Sequence, residues 1–180
     1  MAKLAVVICP GFHDAELTAR FVRSLPAFVQ PYVVKAFPAD PLGVFCWLVK
    51  TIGSPQAKDA MTIVAIAFSG GVVGLAGAIA LWQQQGGQVS TFVAIDGWGV
   101  PIIGMPVCRM SHDSFTHWST LPLGSGQVNF YADPAVEHLQ MWRDCTQVKG
   151  WQVGPNWQKE PMTAAEFLRR QLYRQAEILL

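Results

Sequence analysis

The sequence predicts an α/β fold, a three-layer sandwich in which a mostly parallel central sheet of about six strands carries helices on both faces. Three observations lead there. Strand-like and helix-like segments alternate along the 180 residues, and alternation of this kind builds a parallel sheet through right-handed crossovers. The strand segments are continuous apolar runs, as required of strands buried on both faces. Apolar residues make up 51% of the chain and charged residues 14%, with a mean hydropathy of +0.27, which suits a sheet that never meets water.

Leu4 to Cys9 reads as the first strand. Asp14 then stands where a helix cap belongs, with Leu17, Phe21, Val22 and Leu25 on one face. Tyr32 to Phe37 reads as a second strand. Asp40-Pro41 starts a helix with proline in its first turn, Leu42, Phe45, Leu48, Val49 and Ile52 turn inward, and Gly53 stops it. Met61 to Ala67 is a third strand and Val72 to Gln85 a helix, closed by Gly86-Gly87. Val89 to Ile95, Val107 to Met110 and Val128 to Ala132 read as strands four to six. Thr163-Ala-Ala-Glu166 is a capping box that opens a terminal helix through Phe167, Leu168, Leu172, Ile178 and Leu179. Gly97 to Pro106 and Thr146 to Pro161 read as irregular, and five of the seven tryptophans (98, 118, 142, 151, 157) fall in the second half, where several near one rim would line an apolar pocket.

No internal repeat or long linker divides the chain, so residues 1–180 are expected to form one domain. A chain of this size buries roughly 70% of the surface its unfolded form exposes. Thirteen basic and twelve acidic residues leave a net charge of +1, too little to recruit nucleic acid or an anionic membrane. Met61 to Trp82 is long and apolar enough for a membrane span. Its glycines at 70, 71 and 74, its strand-like first half and the lack of a flanking Lys/Arg cluster argue instead for a buried strand and a buried helix. After Cys9, Pro10-Gly-Phe-His-Asp14 stands where a signal peptide needs more apolar length. The cysteines at 9, 46, 108 and 145 show no C-x-x-C pair or framework spacing. A cytoplasmic protein with free thiols and no structural zinc is therefore expected.

Chemistry centres on Ala67-Phe68-Ser69-Gly70-Gly71. Strand, Ser-Gly-Gly corner and helix form the context in which a G-x-S-x-G type turn lifts a serine hydroxyl clear of a sheet as a nucleophile. Small neighbours are needed because side chains would collide at so sharp a corner. Such a serine needs a base, an acid that orients the base, and donors for an oxyanion. Asp113, in Cys108-Arg-Met-Ser-His-Asp113, and Asp96, in Ile95-Asp96-Gly97, both follow strands. His138 lies in the loop that leaves strand six, and His117 is held in reserve as the base. Ser69, Asp113 and His138 give the chain order Ser, Asp, His, with Asp96 as the reserve acid. His138 Nε2 is then expected within hydrogen-bond reach of Ser69 Oγ. Plainer roles stay open: Ser69 as a turn residue, Asp113 as the cap of Ser114 to Trp118, His138 as the opening residue of a helix. His112, Asp113 and His117 lack a third separated ligand, so no metal is expected. Nothing marks Cys108, near His112, as an exposed thiol nucleophile.

On these residues the chain resembles the α/β-hydrolase family from Leu4 to the terminal helix, and in its size the minimal, lidless lipases and compact serine hydrolases of that family. Ala67 to Gly71 is similar to the nucleophile elbow in its A-x-S-x-G form. Cys9-Pro10-Gly11-Phe12 is similar to the family's His-Gly turn with proline in place of histidine, and the resemblance implies the Phe12 and Gly70 N–H groups as oxyanion donors. Met105 to Asp113 resembles the family's acid strand, with a glycine and two spacer residues missing. The blocks around Asp96 and from Ser111 to Trp118 also resemble hydrolase-like proteins of photosynthetic bacteria, which adds no substrate. The resemblance implies a serine hydrolase that cleaves an ester or thioester with an apolar acyl part and needs no cofactor. Two rivals stand beside it. One is a catalytically silent fold used for binding. The other is a nucleotide-binding module, in which Ser69-Gly-Gly-Val-Val-Gly74 imitates a glycine-rich turn and Asp96 would meet a ribose.

Overall fold

The computed structural model describes residues 4–178. Among them are eight strands and six α-helices. In chain order they are β1 (Leu4–Cys9), α1 (Ala15–Ser24), β2 (Tyr32–Val33), α2 (Pro41–Ile52), β3 (Thr62–Phe68), α3 (Gly70–Gln84), β4 (Val89–Ile95), β5 (Val107–Ser111), α4 (Ser114–Thr120), β6 (Asn129–Ala132), α5 (His138–Arg143), β7 (Lys149–Val153), β8 (Lys159–Thr163) and α6 (Ala164–Ile178). They alternate except that β4 leads to β5 and β7 to β8 with no α-helix between. Leu179 and the side chain of Ile178, both expected on the last helix, lie outside what is described, as do Met1 to Lys3.

The strands form one sheet in the order β2-β1-β3-β4-β5-β6-β7-β8. The first six are parallel, and β7 and β8 run antiparallel to their neighbours. The expected parallel α/β sheet is present, but it has eight strands, not about six. The difference lies between Thr146 and Pro161, where the sequence shows two prolines, glycine and asparagine and no apolar run. That segment folds into a hairpin that pairs Val153 with Lys159 and Trp151 with Pro161. Proline is tolerated in β8 because this strand is the sheet edge, where the missing N–H faces no neighbour. At the other edge, β2 holds two residues instead of the six from Tyr32 to Phe37.

Because side chains alternate across a strand, β1, β3 and β4 send one set to each face. Val6, Ile8, Val64, Ile66 and Phe68 meet Phe21 of α1, Trp142 of α5 and Phe167 and Leu168 of α6. Ala5, Val7, Ala65 and Ala67 meet Val44 and Leu48 of α2 and Val72, Leu75, Ile79 and Trp82 of α3. Both faces are thus covered, which explains the unbroken apolar strands. Met61 to Trp82 divides between β3 and α3, and among the described residues no helix is long and apolar enough to cross a membrane.

One charge lies deep in this frame. Arg109 of β5 is 2% exposed and has no carboxylate partner among the described residues. Its Nε donates to Gly124 O at 2.6 Å, Nη1 to Gly97 O at 3.4 Å, and Nη2 to Val100 O at 2.8 Å and Leu123 O at 3.1 Å. The guanidinium thereby fastens two irregular segments that run over the sheet, Gly97 to Val100 and Leu123 to Gly124. Arg109→Leu leaves these carbonyls without donors, at about 1–3 kcal/mol for each that stays buried. We expect a loss of at least about 3 kcal/mol in urea unfolding, and Arg109→Lys, which cannot reproduce the planar fork, should recover only part of it.

Candidate functional site

Strand order reverses beside β1, which has β2 on one side and β3 on the other. The loops leaving β1 and β3 therefore diverge to opposite faces at the carboxyl edge of the sheet. Ser69 stands there, between the last residue of β3 and the first of α3. Its φ of 52° and ψ of −124° lie outside the regions an ordinary residue prefers, at a cost of about 1–3 kcal/mol. The corner is pinned on both sides: Ser69 N–H donates to Ile95 O at 2.9 Å, and Val72 N–H donates to Ser69 O at 3.0 Å.

The loop after β1 closes against this corner. A Cβ on Gly71 would collide with the carbonyls of Cys9 and Pro10, and one on Gly70 would lie 2.6 Å from the Phe12 ring. Gly71 needs glycine because backbone faces it, whereas at Gly70 the obstacle is the ring of the exposed Phe12. Neither the Phe12 nor the Gly70 N–H donates elsewhere among the described residues.

Asp96 follows β4 with a φ of 50° and is 6% exposed. Its carboxylate accepts three hydrogen bonds: Oδ1 from His112 N–H at 2.8 Å, and Oδ2 from His112 Nδ1 at 3.1 Å and from His138 Nδ1 at 2.9 Å. An ionised carboxylate only accepts, so both rings carry their proton on Nδ1. Burial pushes the Asp96 carboxyl up, but the hydrogen bonds from His112 and His138 and the nearby His112 charge outweigh it and hold the group below its usual range. The Asp96 hydrogen bond raises His112 above the ordinary histidine value against the opposing effect of burial, helped by the charges of Asp96, Asp113 and Glu137.

His138 opens α5. Its ring stacks on Phe68 with centroids 4.7 Å apart; Phe68 stacks in turn on Trp142 at 5.1 Å, and Trp142 on Phe21 at 3.6 Å. The residue before Ser69 therefore props the ring that would serve it. Ser69, Asp96, His112 and His138 line one cavity of about 560 Å³, with Val73, Trp98, Val100 and Phe115 among its walls. Trp98 and Phe115, 64% and 70% exposed, make its rim apolar. Within this cavity no hydrogen bond joins Ser69 Oγ to His138 Nε2.

Asp113 lines the same cavity but takes another part in it, and His117 lies outside it. Asp113 accepts from Thr116 N–H at 2.6 Å and so caps α4; its second oxygen lies 3.5 Å from His112 Nε2, and the carboxylate that meets His138 is that of Asp96. His117 is fully buried against Tyr131, outside the cavity, with neither ring nitrogen hydrogen-bonded. Burial pushes the Cys108 thiol up to about 12, the opposite of what a thiolate nucleophile needs. Sequence reasoning missed His112 as the second ring on Asp96, although its place after β5 was a usable signal. Asp96, His112 and His138 also bring three ligand atoms within 4.8 Å of one another. A larger recess of about 630 Å³ lies at the opposite edge of the sheet, between Thr91, Val107 and Arg174, but it holds no paired base and acid.

No protein-family model matches the chain, and no curated protein is significantly similar to it. The case for function therefore rests on the geometry.

His117 makes acid sensitivity testable. Burial, with the Lys159 charge in second place, lowers it from 6.5 to about 4. The unfolded chain therefore binds a proton between these values that the folded chain refuses, and stability falls as pH drops from 6.5 towards 4. The loss is about 3 kcal/mol. Urea unfolding at pH 7 and pH 4.5 should show this slope in the native chain and a shallower one in His117→Phe.

Proposed function

We propose that the protein is a serine hydrolase of the α/β-hydrolase type, acting on an ester or thioester with an apolar acyl part. The observation that carries the reading is the meeting, in one cavity, of a serine on a strained strand-to-helix corner with a histidine whose Nδ1 is held 2.9 Å from a buried carboxylate. In this reading Ser69 Oγ attacks the substrate carbonyl while His138 Nε2 takes its proton, and the ring then returns that proton to the leaving oxygen or sulfur. Asp96 fixes the Nδ1–H tautomer and stabilises the imidazolium. The Gly70 and Phe12 N–H groups would meet the oxyanion. Catalytic hydrogen bonds are often long before substrate arrives, which accommodates the unbonded Ser69 Oγ. Trp98, Phe115 and Val73 support an apolar acyl group.

The nucleotide-binding alternative finds less support. Gly71 packs on two carbonyl oxygens, which repel a phosphate, and Asp96 is already occupied by His112 and His138.

A fluorophosphonate should label the native protein once per chain, and Ser69→Ala should stay folded and unlabelled. Labelling that survives in Ser69→Ala removes the nucleophile from this reading. Absence of labelling in the native chain favours the silent fold, and a rise in melting temperature with a dinucleotide favours the nucleotide module.

The two acids separate by turnover of a short-chain thioester. Asp96→Asn should lower kcat by about 10⁴, the order seen when a triad histidine loses its orienting acid. Asp113→Asn keeps a competent helix cap and should cost less than about tenfold.

A further inference from the structure

A serine mechanism needs one imidazole on its acid, and here Asp96 holds two. His112 and His138 approach Oδ2 through Nδ1, at 3.1 and 2.9 Å, from the loop after β5 and from the start of α5. We infer that Asp96, His112 and His138 form a binding site for Zn2+, and that its occupation shuts off the serine chemistry. The site stands on geometry alone; the shut-off rests on the hydrolase reading.

Zinc takes imidazole nitrogen at about 2.0–2.1 Å and carboxylate oxygen at about 2.0–2.2 Å, which places tetrahedral ligand atoms roughly 3.4 Å apart. The three atoms here already lie within 4.8 Å of one another, so small ring rotations bring them to an ion. Their supports are those of a metal site. His112 N–H fixes Asp96 Oδ1 and leaves Oδ2 for the ion. His112 Nε2 lies 3.5 Å from the Asp113 carboxylate, the carboxylate–histidine arrangement that orients metal ligands from behind. The stack on Phe68 holds the His138 ring. A fourth position opens on the cavity shared with Ser69. Two nitrogens and one oxygen suit zinc and not Mg2+ or Ca2+, which prefer oxygen donors.

The shut-off follows from the tautomers. With Asp96 as acceptor, each neutral ring carries its proton on Nδ1 and keeps a lone pair on Nε2. An ion at Nδ1 takes that nitrogen's lone pair, and the proton passes through water to Nε2; a ring that begins as imidazolium keeps its Nε2 proton and releases the one on Nδ1. Either way His138 Nε2 becomes a donor and can no longer accept the Ser69 proton. Asp96 is drawn to the ion at the same time.

Calorimetric titration of ZnCl2 into the whole protein at pH 7.5 should show one site per chain, with MgCl2 giving no comparable binding. His112→Ala should weaken zinc by at least about tenfold. His112→Gln, which keeps a donor beside Asp96, should do the same if the alanine variant folds poorly, and Ser69→Ala should bind zinc as the native chain does. Zinc should slow fluorophosphonate labelling of the native protein, EDTA should restore the rate, and His112→Gln should need more zinc for the same protection. Equal zinc affinity in the native chain and both His112 variants overturns the site. Binding that leaves labelling unslowed overturns the shut-off. If the probe fails to label without zinc, the hydrolase reading falls, while the affinity comparison still decides the zinc site.

Discussion

A buried carboxylate at the end of β4 is the constraint on which the carboxyl edge of this fold depends. Taking an ion out of water costs several kcal/mol unless partners replace the lost hydration. Asp96 finds its partners in three N–H groups from two elements: the backbone and ring of His112, beyond β5, and the ring of His138, on α5. Meeting that demand fixes where the loop after β5 turns and how α5 approaches the sheet. Either element could pack in other ways if the acid were absent. With the acid present, the ends of three successive parallel strands are drawn towards one point, beside the corner that carries Ser69.

Two further interactions keep that point in place. On one face of the sheet, the aromatic column Phe21, Trp142, Phe68 and His138 runs from the core to the cavity, so the ring at its tip rests on groups that solvent does not reach. On the other face, Arg109 fastens the irregular segments that follow Asp96 and precede β6. A protonated arginine among carbonyls stays charged despite burial because four dipoles point at it, although burial lowers its pKa. The apolar rim at Trp98 hangs from the segment it holds. Core and rim are therefore linked through polar contacts that the hydrophobic pattern alone does not reveal.

That distinction explains what the sequence made legible. The parallel strands were readable because burial on both faces demands continuous apolar runs. The Ser69 corner was readable because strand, small residues and helix agree on it. The β7–β8 hairpin was not, since β8 exposes Lys159, Glu160 and Pro161, β7 mixes Lys149, Gly150 and Gln152 with its apolar residues, and Pro161 breaks the pattern in the one strand where it does no harm. The pairing of His138 with Asp96 and not Asp113 was equally hidden. Both acids follow strands; Asp96, on a turn with a φ of 50°, sends its carboxylate inward to His112 and His138, while Asp113 caps α4. Chain order gives the candidates; the local backbone after each strand separates them.

The ends of the sheet carry a different consequence. Its parallel interior is a row of apolar strands, the kind of template that recruits further strands when an edge is left open. Neither edge invites one. β2 offers only two residues, too few for a stable ladder, and β8 presents Lys159, Glu160 and Pro161, two charges and an imide without a donor. Growth of the sheet by edge-to-edge addition of a second chain is blocked at both ends, so any self-association of the folded protein has to use its helical faces or its loops. The proline that hid β8 from the sequence pattern thus helps to keep so apolar a chain from polymerising through its own backbone.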